Sequence, residues 1–135
     1  MPTSFKVSFT ISGHGFDPNV ITTTLQITPT KVWREGDVIP NTKSTWKHDG
    51  WRLTTEETEG FDTTRHLREI LDKLSPVEPL VRSLCNTHNL SAELSCAVYI
   101  EDQAPILHFD RDIVEQLANL SAEIDIDVLP TGSSL

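Results

Sequence analysis

The sequence predicts an α+β fold, with a mixed, mainly antiparallel sheet and helices packed on one face, in the order β-α-β-β-α-α-β-β-α-β. Several segments alternate apolar and polar residues, as half-buried strands do, and others repeat apolar residues at helical spacing. The chain also contains a weak internal echo, because a constant shift aligns Phe16-Asp17 with Phe109-Asp110. We interpret the echo as two related βαβ units of a ferredoxin-like or split-βαβ arrangement.

The first third of the chain predicts three strands and one short helix. Residues 5–11 alternate as a strand, and Asp17 is placed to cap a helix that starts with Pro18. The second and third strands are predicted over residues 30–34 and 50–55. The expected buried face of the helix is Val20, Ile21, Thr24 and Leu25. An exposed acidic loop, 56–60, should follow.

Two helices are predicted in the middle of the chain. Asp62 or Thr63 is expected to cap the first, and Ser75 and Glu78 to form a capping box around Pro76 at the start of the second. The first apolar stripe is Leu67, Ile70, Leu71 and Leu74. The second is Val77, Leu80, Val81, Leu84 and Cys85.

The last third predicts a long strand, residues 90–100, a turn at 101–104 and a partner strand over 105–109. Asp110 should cap the last helix. That helix is expected to pack through Ile113, Val114, Leu117 and Ala118. The final strand should carry Ile124, Ile126 and Val128 on one face and Glu123, Asp125 and Asp127 on the other. We therefore expect one α+β domain over residues 1–130 and a flexible tail, 131–135.

The net charge of −9 is unevenly distributed. Residues 1–75 carry ten acidic and nine basic side chains, whereas residues 76–135 carry ten acidic and two basic ones, a net −8. An acidic surface repels phosphate backbones and attracts a basic protein, so we expect no nucleic-acid partner and consider a basic protein partner. The alternative is that the acidity serves solubility.

The chain starts without the basic residues and apolar run of a signal peptide, and no stretch has the roughly 20 apolar residues that span a bilayer. We therefore expect a cytoplasmic protein with no membrane partner. Cys85 and Cys96 would then remain reduced.

One sequence pattern resembles a known family. It includes Ile11-Ser12-Gly13, Phe16-Asp17-Pro18 with Ile21, Pro29-Thr30, Trp33, Gly36-Asp37, Trp51 with Leu53, the Leu67 to Leu74 helix, Ser95-Cys96, Phe109-Asp110, and Leu117-Ala118 leading into Ile124-Asp125-Ile126-Asp127. Taken together these residues resemble the bacterial domain-of-unknown-function family numbered 4279. The resemblance extends from about Phe5 to Leu129, and its most specific part is the stretch with Pro29, Trp33 and Gly36. It implies a bacterial origin and a compact α+β domain, and it brings no activity, cofactor or site.

All three tryptophans lie in one basic, aromatic stretch. Tryptophan beside arginine is typical of binding hot spots. The predicted binding residues are Trp33, Arg34, Trp46, His48, Trp51 and Arg52. If the second and third strands pair, Trp33 and Trp51 could approach across the ladder. The alternative is that these two indoles anchor the edge of the core.

Other constellations favour structural roles. Cys85 and His88 have chelating spacing, but only Cys96 could join them, and buried cysteines usually pack as small hydrophobes. Glu123, Asp125 and Asp127 could gather a hard cation or form an acidic partner surface, although outward carboxylates also protect sheet edges. No histidine lies in a recognisable catalytic motif. We predict no metal, no cofactor and no catalytic residues.

These observations favour a non-enzymatic protein-binding module. One version is an immunity-type protein that neutralises a basic toxin domain. The alternative is a small-molecule-binding domain or small enzyme with a pocket near Trp33 and Trp51.

Overall fold

A computed structural model describes residues 3–56, 58–59, 63–101 and 105–130. The fold is α+β with a mixed sheet, as predicted. The strands are β1 (Ser4–Gly13), β2 (Lys31–Trp33), β3 (Asp49–Thr54), β4 (Thr58–Glu59), β5 (Ser91–Ile100) and β6 (Ala122–Pro130). The helices are α1 (Pro18–Leu25), α2 (Thr63–Leu74), α3 (Glu78–His88) and α4 (Arg111–Asn119), with a 3₁₀ helix, Ser75–Val77, before α3.

The strand order is β2-β3-β1-β5-β6, and the short β4 pairs with β1. Each pair is antiparallel except β5 and β6, which are parallel. The alternation in β1 places Phe5, Val7, Phe9 and Ile11 on one face, where they are buried against the helices. Their β5 partners Val98, Cys96, Leu94 and Ala92 continue the same apolar layer. The mainly antiparallel sheet with helices on one face is therefore confirmed.

The apolar stripe of α2 is buried as its spacing predicts, with Leu67, Ile70, Leu71 and Leu74 all in the core. The stripes of α1 and α4 are narrower than expected. Val20 and Val114 are half exposed, at 44% and 51%, while Ile21 and Ile113 are buried. Each of these short helices therefore meets the core through one i, i+4 row. None of the described helices is long and apolar enough to cross a membrane.

Both predicted aspartate caps are confirmed. An Asp17 carboxylate oxygen accepts from the Asn19 N–H at 3.0 Å, and Asp110 accepts from the Ile113 N–H at 2.9 Å. That backbone bond, and to a smaller extent Arg68 nearby, lowers the pKa of Asp110. The internal echo in the sequence therefore corresponds to two helices that begin with the same kind of aspartate cap.

The capping box at Ser75 and Glu78 is wrong. A 3₁₀ turn occupies this stretch, and α3 begins at Glu78 with no side-chain cap. Pro79 then takes a first-turn position of α3, where its missing N–H has no helical partner to lose. Thr63 lies inside α2 rather than capping it, and Asp62 lies outside the described residues.

The strand predicted over 105–109 is also wrong, since the segment is irregular. Because β5 and β6 are parallel neighbours, the chain must cross from one end of the sheet to the other through α4. A strand that paired antiparallel to β5 here would take the place of β6. β4 was not predicted and falls inside the expected acidic loop. The predicted turn at 101–104 and tail 131–135 lie mostly or wholly outside the described residues.

Candidate functional site

The face of the sheet opposite the helices, here called the open face, is charged with opposite sign at its two ends. One row of strand-pairing partners runs Lys31, Arg52, Thr10, Glu93 and Glu123. Since neighbouring strands lie about 4.8 Å apart, this row spans about 19 Å. The open face is therefore basic at β2 and β3 and acidic at β5 and β6.

At the basic end, Trp33, Trp46 and His48 form a cluster that we call the aromatic corner. Trp33 lies opposite Gly50 in the β2–β3 pair, and a Cβ on Gly50 would be 2.0 Å from the indole ring. Glycine is thus required for the indole to lie on the strand. Trp46 stacks on Trp33 with centroids 4.2 Å apart, and His48 meets both rings edge-on at about 6 Å.

Two cations complete the aromatic corner. The Arg52 guanidinium lies 4.8 Å from the Trp33 ring centre, and the Lys31 ammonium lies 5.4 Å from that of Trp46. Arg52 also donates to the Thr10 hydroxyl at 3.0 Å. Burial lowers the pKa of Arg52, and the negative charge of Glu93 opposes that shift. These side chains are held mainly by one another, although the buried Nε1 of Trp33 has no hydrogen-bond partner among the described residues.

Asp49, next to the aromatic corner in sequence, joins three segments of the fold. Its buried carboxylate accepts four hydrogen bonds: from the N–H groups of Gly15, Phe16 and Glu35 at 3.0, 3.2 and 2.8 Å, and from Arg34 Nε at 3.2 Å. The Glu35 bond is the largest cause of the lowered pKa of Asp49, and burial works against it. One side chain therefore joins the turn after β1, the end of β2 and the start of β3.

Trp51 does not belong to the aromatic corner. It follows Gly50 in β3, so its side chain points to the helix-bearing face, where it is fully buried and donates to the Thr22 hydroxyl at 3.0 Å. The prediction that Trp33 and Trp51 approach each other across the ladder is wrong, because the ladder puts them on opposite faces. They do not line a common pocket.

The other predicted binding residues are brought together only in part. Trp33, Trp46, His48 and Arg52 share the aromatic corner. Arg34 lies beside it and contacts two carboxylates, Asp49 at 3.2 Å and Asp17 at 3.8 Å.

At the acidic end, β6 carries three carboxylates on the open face. Glu123 lies beside Glu93, Asp125 beside Ser95, and Asp127 beside Ala97. All three β6 carboxylates are exposed, and among the described residues none takes part in a salt bridge. Adjacent like charges at Glu93 and Glu123 repel each other, so this strand presents a negative potential that the described fold leaves unneutralised.

The opposite face of β6 is apolar and unusually open. Ile124, Ile126 and Val128 lie beside the buried Leu94, Cys96 and Val98 of β5, yet they are 45%, 40% and 57% exposed. The helices cover β5 fully and β6 only in part. The last strand is therefore exposed on both faces, one acidic and one apolar.

A separate pocket of about 200 Å³ lies between α1 and α3. Its walls are mainly apolar, with contributions from Phe16, Ile21, Leu84 and Leu90, and His88 also lines it. In the described part of the chain, no group of three histidine, cysteine or carboxylate side chains is arranged to hold a metal ion.

The thiols are part of the core. Cys85 and Cys96 are free and buried, as predicted. Burial raises the pKa of Cys85, and raises that of Cys96 to about 11. At neutral pH both groups are therefore thiols, the poorly nucleophilic form. His66 is also buried, with its ring against Phe5 and Nδ1 3.1 Å from the Thr55 hydroxyl.

Comparison with known proteins identifies the family. A family model described as a domain of unknown function, DUF4279, matches residues 3–131. The chain belongs to the DUF4279 family. The match confirms the resemblance noted in the sequence. Neither the curated proteins nor the solved structures provide a match.

Two features of this DUF4279 domain were missed in the sequence. The role of Asp49 was not predicted, because the N–H groups that donate to it lie 14 to 34 positions away in the sequence. The exposure of Ile124, Ile126 and Val128 left no signal, because their alternation is the same whether or not a helix covers them.

Proposed function

We propose that this protein is a non-enzymatic binding module that docks a basic protein partner on the acidic end of its open face. The observation that carries the proposal is the set of exposed carboxylates Glu123, Asp125 and Asp127, held on a regular strand beside Glu93 and free of salt bridges among the described residues. Charges fixed on a strand keep their spacing and require no ordering of the backbone when a partner binds.

The wider charge distribution supports the same partner. Residues 76–135 carry a net charge of −8, so a cationic protein is attracted over the whole approach and a phosphate backbone is repelled. An immunity-type protein that masks a basic toxin domain is the concrete form of this proposal. The setting that fits it is the bacterial cytoplasm, where the two buried thiols stay reduced.

We propose no catalytic role, because several titratable side chains are already engaged in contacts within the fold. Asp49 and Asp110 are occupied by backbone N–H groups, His66 lies buried against Phe5, and the two cysteines are buried thiols. Each of these contacts stabilises the fold and leaves the group poorly placed to exchange protons with a substrate.

We further propose that the fold is a ferredoxin-like variant with two related βαβ units. β5, α4 and β6 form a unit with adjacent parallel strands. β1 and β2 both pair antiparallel with β3, so they run parallel to each other on either side of it, with α1 between them in sequence.

The function is tested by measuring association with the partner. Wild-type protein, immobilised and exposed to a lysate of the source organism, should retain a basic protein that can then be purified. We expect Asp125→Asn/Asp127→Asn to slow its association by about three- to tenfold near 0.1 M salt, and higher salt to remove most of the difference.

The matched control is Glu69→Gln/Asp72→Asn, which removes the same charge from exposed positions of α2. It should leave the association rate near that of the wild type. If association is insensitive to salt and to Asp125→Asn/Asp127→Asn while Trp33→Ala abolishes it, the aromatic corner is the binding surface and the proposal is wrong.

A further inference from the structure

β6 ends the sheet, and its main-chain groups on the outer side have no neighbouring strand among the described residues. The strand is nine residues long, whereas β2 at the other end has three. A long unpaired edge is a template for another strand. Natural proteins usually keep such edges short or cover them, so a nine-residue edge invites a functional explanation.

The two faces of β6 specify what a pairing strand must carry. The open face presents Glu123, Asp125 and Asp127, and the helix-bearing face presents the half-exposed Ile124, Ile126 and Val128. Edge protection accounts for the carboxylates but not for three large apolar side chains left in water on the same strand. A strand added at this edge would cover the apolar row on one side and neutralise the carboxylates on the other.

A second copy of the chain is a poor occupant. Residues that lie opposite each other in a ladder share a face, so antiparallel pairing of β6 with the β6 of a second copy sets carboxylates against carboxylates. Like charges directly opposite destabilise the pair. Parallel pairing turns the second copy over and sets its carboxylates against the apolar row, where they find no cation. The open face of β6 therefore acts against self-association and in favour of a cationic strand.

We propose that β6 binds its partner by strand addition, taking up an extended segment that alternates basic and apolar residues. The inference rests on the proposed function and specifies the mode of contact. Basic side chains of the segment lie beside Asp125 and Asp127, and its apolar side chains lie beside Ile126 and Val128. The main-chain hydrogen bonds supply affinity and the two rows of side chains supply specificity.

The mode is tested with a synthetic peptide as long as β6, nine residues, that alternates lysine and valine. One control peptide has the same composition in two blocks. The other is the alternating peptide N-methylated throughout, which keeps its charges but cannot donate main-chain hydrogen bonds. We expect the alternating peptide to bind and to slow amide exchange in β6. The N-methylated control should bind at least about tenfold more weakly, since each lost bond weakens binding by roughly three- to tenfold. The block control should also bind at least about tenfold more weakly, because it places lysines against the apolar row and valines against the carboxylates.

Variants of the protein give a second readout. Val128→Thr keeps the side-chain shape and removes one methyl from the apolar row, so peptide affinity should fall about two- to fivefold. Val20→Thr, at a similarly exposed position on α1, is the matched control and should leave affinity unchanged.

Strand addition is overturned if the three peptides bind equally, if β6 amides gain no protection, or if the alternating peptide does not bind at millimolar concentration. In each of these cases the proposed function stands as long as the natural partner still associates in a manner that depends on Asp125 and Asp127. A partner that ignores those carboxylates would overturn the proposed function itself.

Discussion

The two ends of the sheet treat their carboxylates in opposite ways. At the β3 end, Asp49 is buried and accepts four hydrogen bonds from two other segments of the chain. At the β6 end, Asp125 and Asp127 are exposed and take part in no salt bridge found among the described residues. Carboxylates that stabilise the fold are poorly available to a partner. The exposed carboxylates of β6 are therefore the better candidates for binding one.

The largest expected effect is at Asp49. Asp49→Asn removes the charge that three N–H groups and Arg34 share, and its amide N–H₂ would face those donors. We expect a loss of about 2–4 kcal/mol in the free energy of unfolding near pH 7, measured by urea denaturation. Asp72→Asn, at an exposed position of α2, should cost under about 0.5 kcal/mol.

The Asp49 effect should depend on pH in a defined direction. The pKa of Asp49 is lowered from 3.8 by folding, so its contribution is complete above the unfolded value and is lost as the pH falls through the folded value. The difference between wild type and Asp49→Asn should therefore be constant above about pH 5 and shrink below about pH 4. A difference that stays constant in acid would show that the charge of Asp49 contributes nothing.

A smaller effect is expected at Gly50. In Gly50→Ala the new Cβ would lie 2.0–2.1 Å from two carbons of the Trp33 ring, so the indole must move off the strand and away from Trp46. We expect a loss of about 1–3 kcal/mol and a clear change in the circular dichroism that arises from the stacked tryptophans.

Gly13→Ala is the matched control, since its Cβ would meet only the terminal methyl of Leu90 at such short range. That side chain can turn aside, so stability should change less and the tryptophan signal should persist. An unchanged signal in Gly50→Ala would mean that the stack does not depend on the glycine.

The sequence predicts much of the fold because its patterns are local. The alternation of β1 and β5 and the i, i+4 stripe of α2 report directly which side of each element is buried. Asp17 and Asp110 report helix starts because a cap acts on backbone groups two or three residues away. The failures depend on partners that a local pattern does not contain. Residues 105–109 form a short, mainly apolar run like that of a strand, but the parallel pairing of β6 with β5 takes the place that such a strand would need.

The binding residues were predicted only in part for the same reason, since their positions depend on strand pairing. Composition identifies tryptophan, arginine and carboxylate clusters, but it does not say which face of the sheet each side chain takes. Trp33 and Trp51 are separated by the pairing register, in which Trp33 lies opposite Gly50 and not opposite Trp51. Asp49 acts through residues up to 34 positions away in the sequence, so its role becomes visible only when those turns are brought together.

The smallest expected effect is on stability when the carboxylates of β6 are neutralised. This change should raise the stability slightly at low salt, whereas neutralising Asp49 should lower it. Asp125→Asn/Asp127→Asn removes two negative charges from β6. Among the described residues no cation forms a salt bridge with these carboxylates, and Glu93 lies on the neighbouring strand. Replacing them relieves repulsion and breaks no ion pair seen there, so the Tm should change by less than about 2 °C and should move upward at low salt. Added salt should cancel that shift, because screening weakens the repulsion in the wild type as well. A marked fall in Tm would show that these carboxylates stabilise the folded chain as Asp49 does, and the argument that β6 keeps them for a partner would fail.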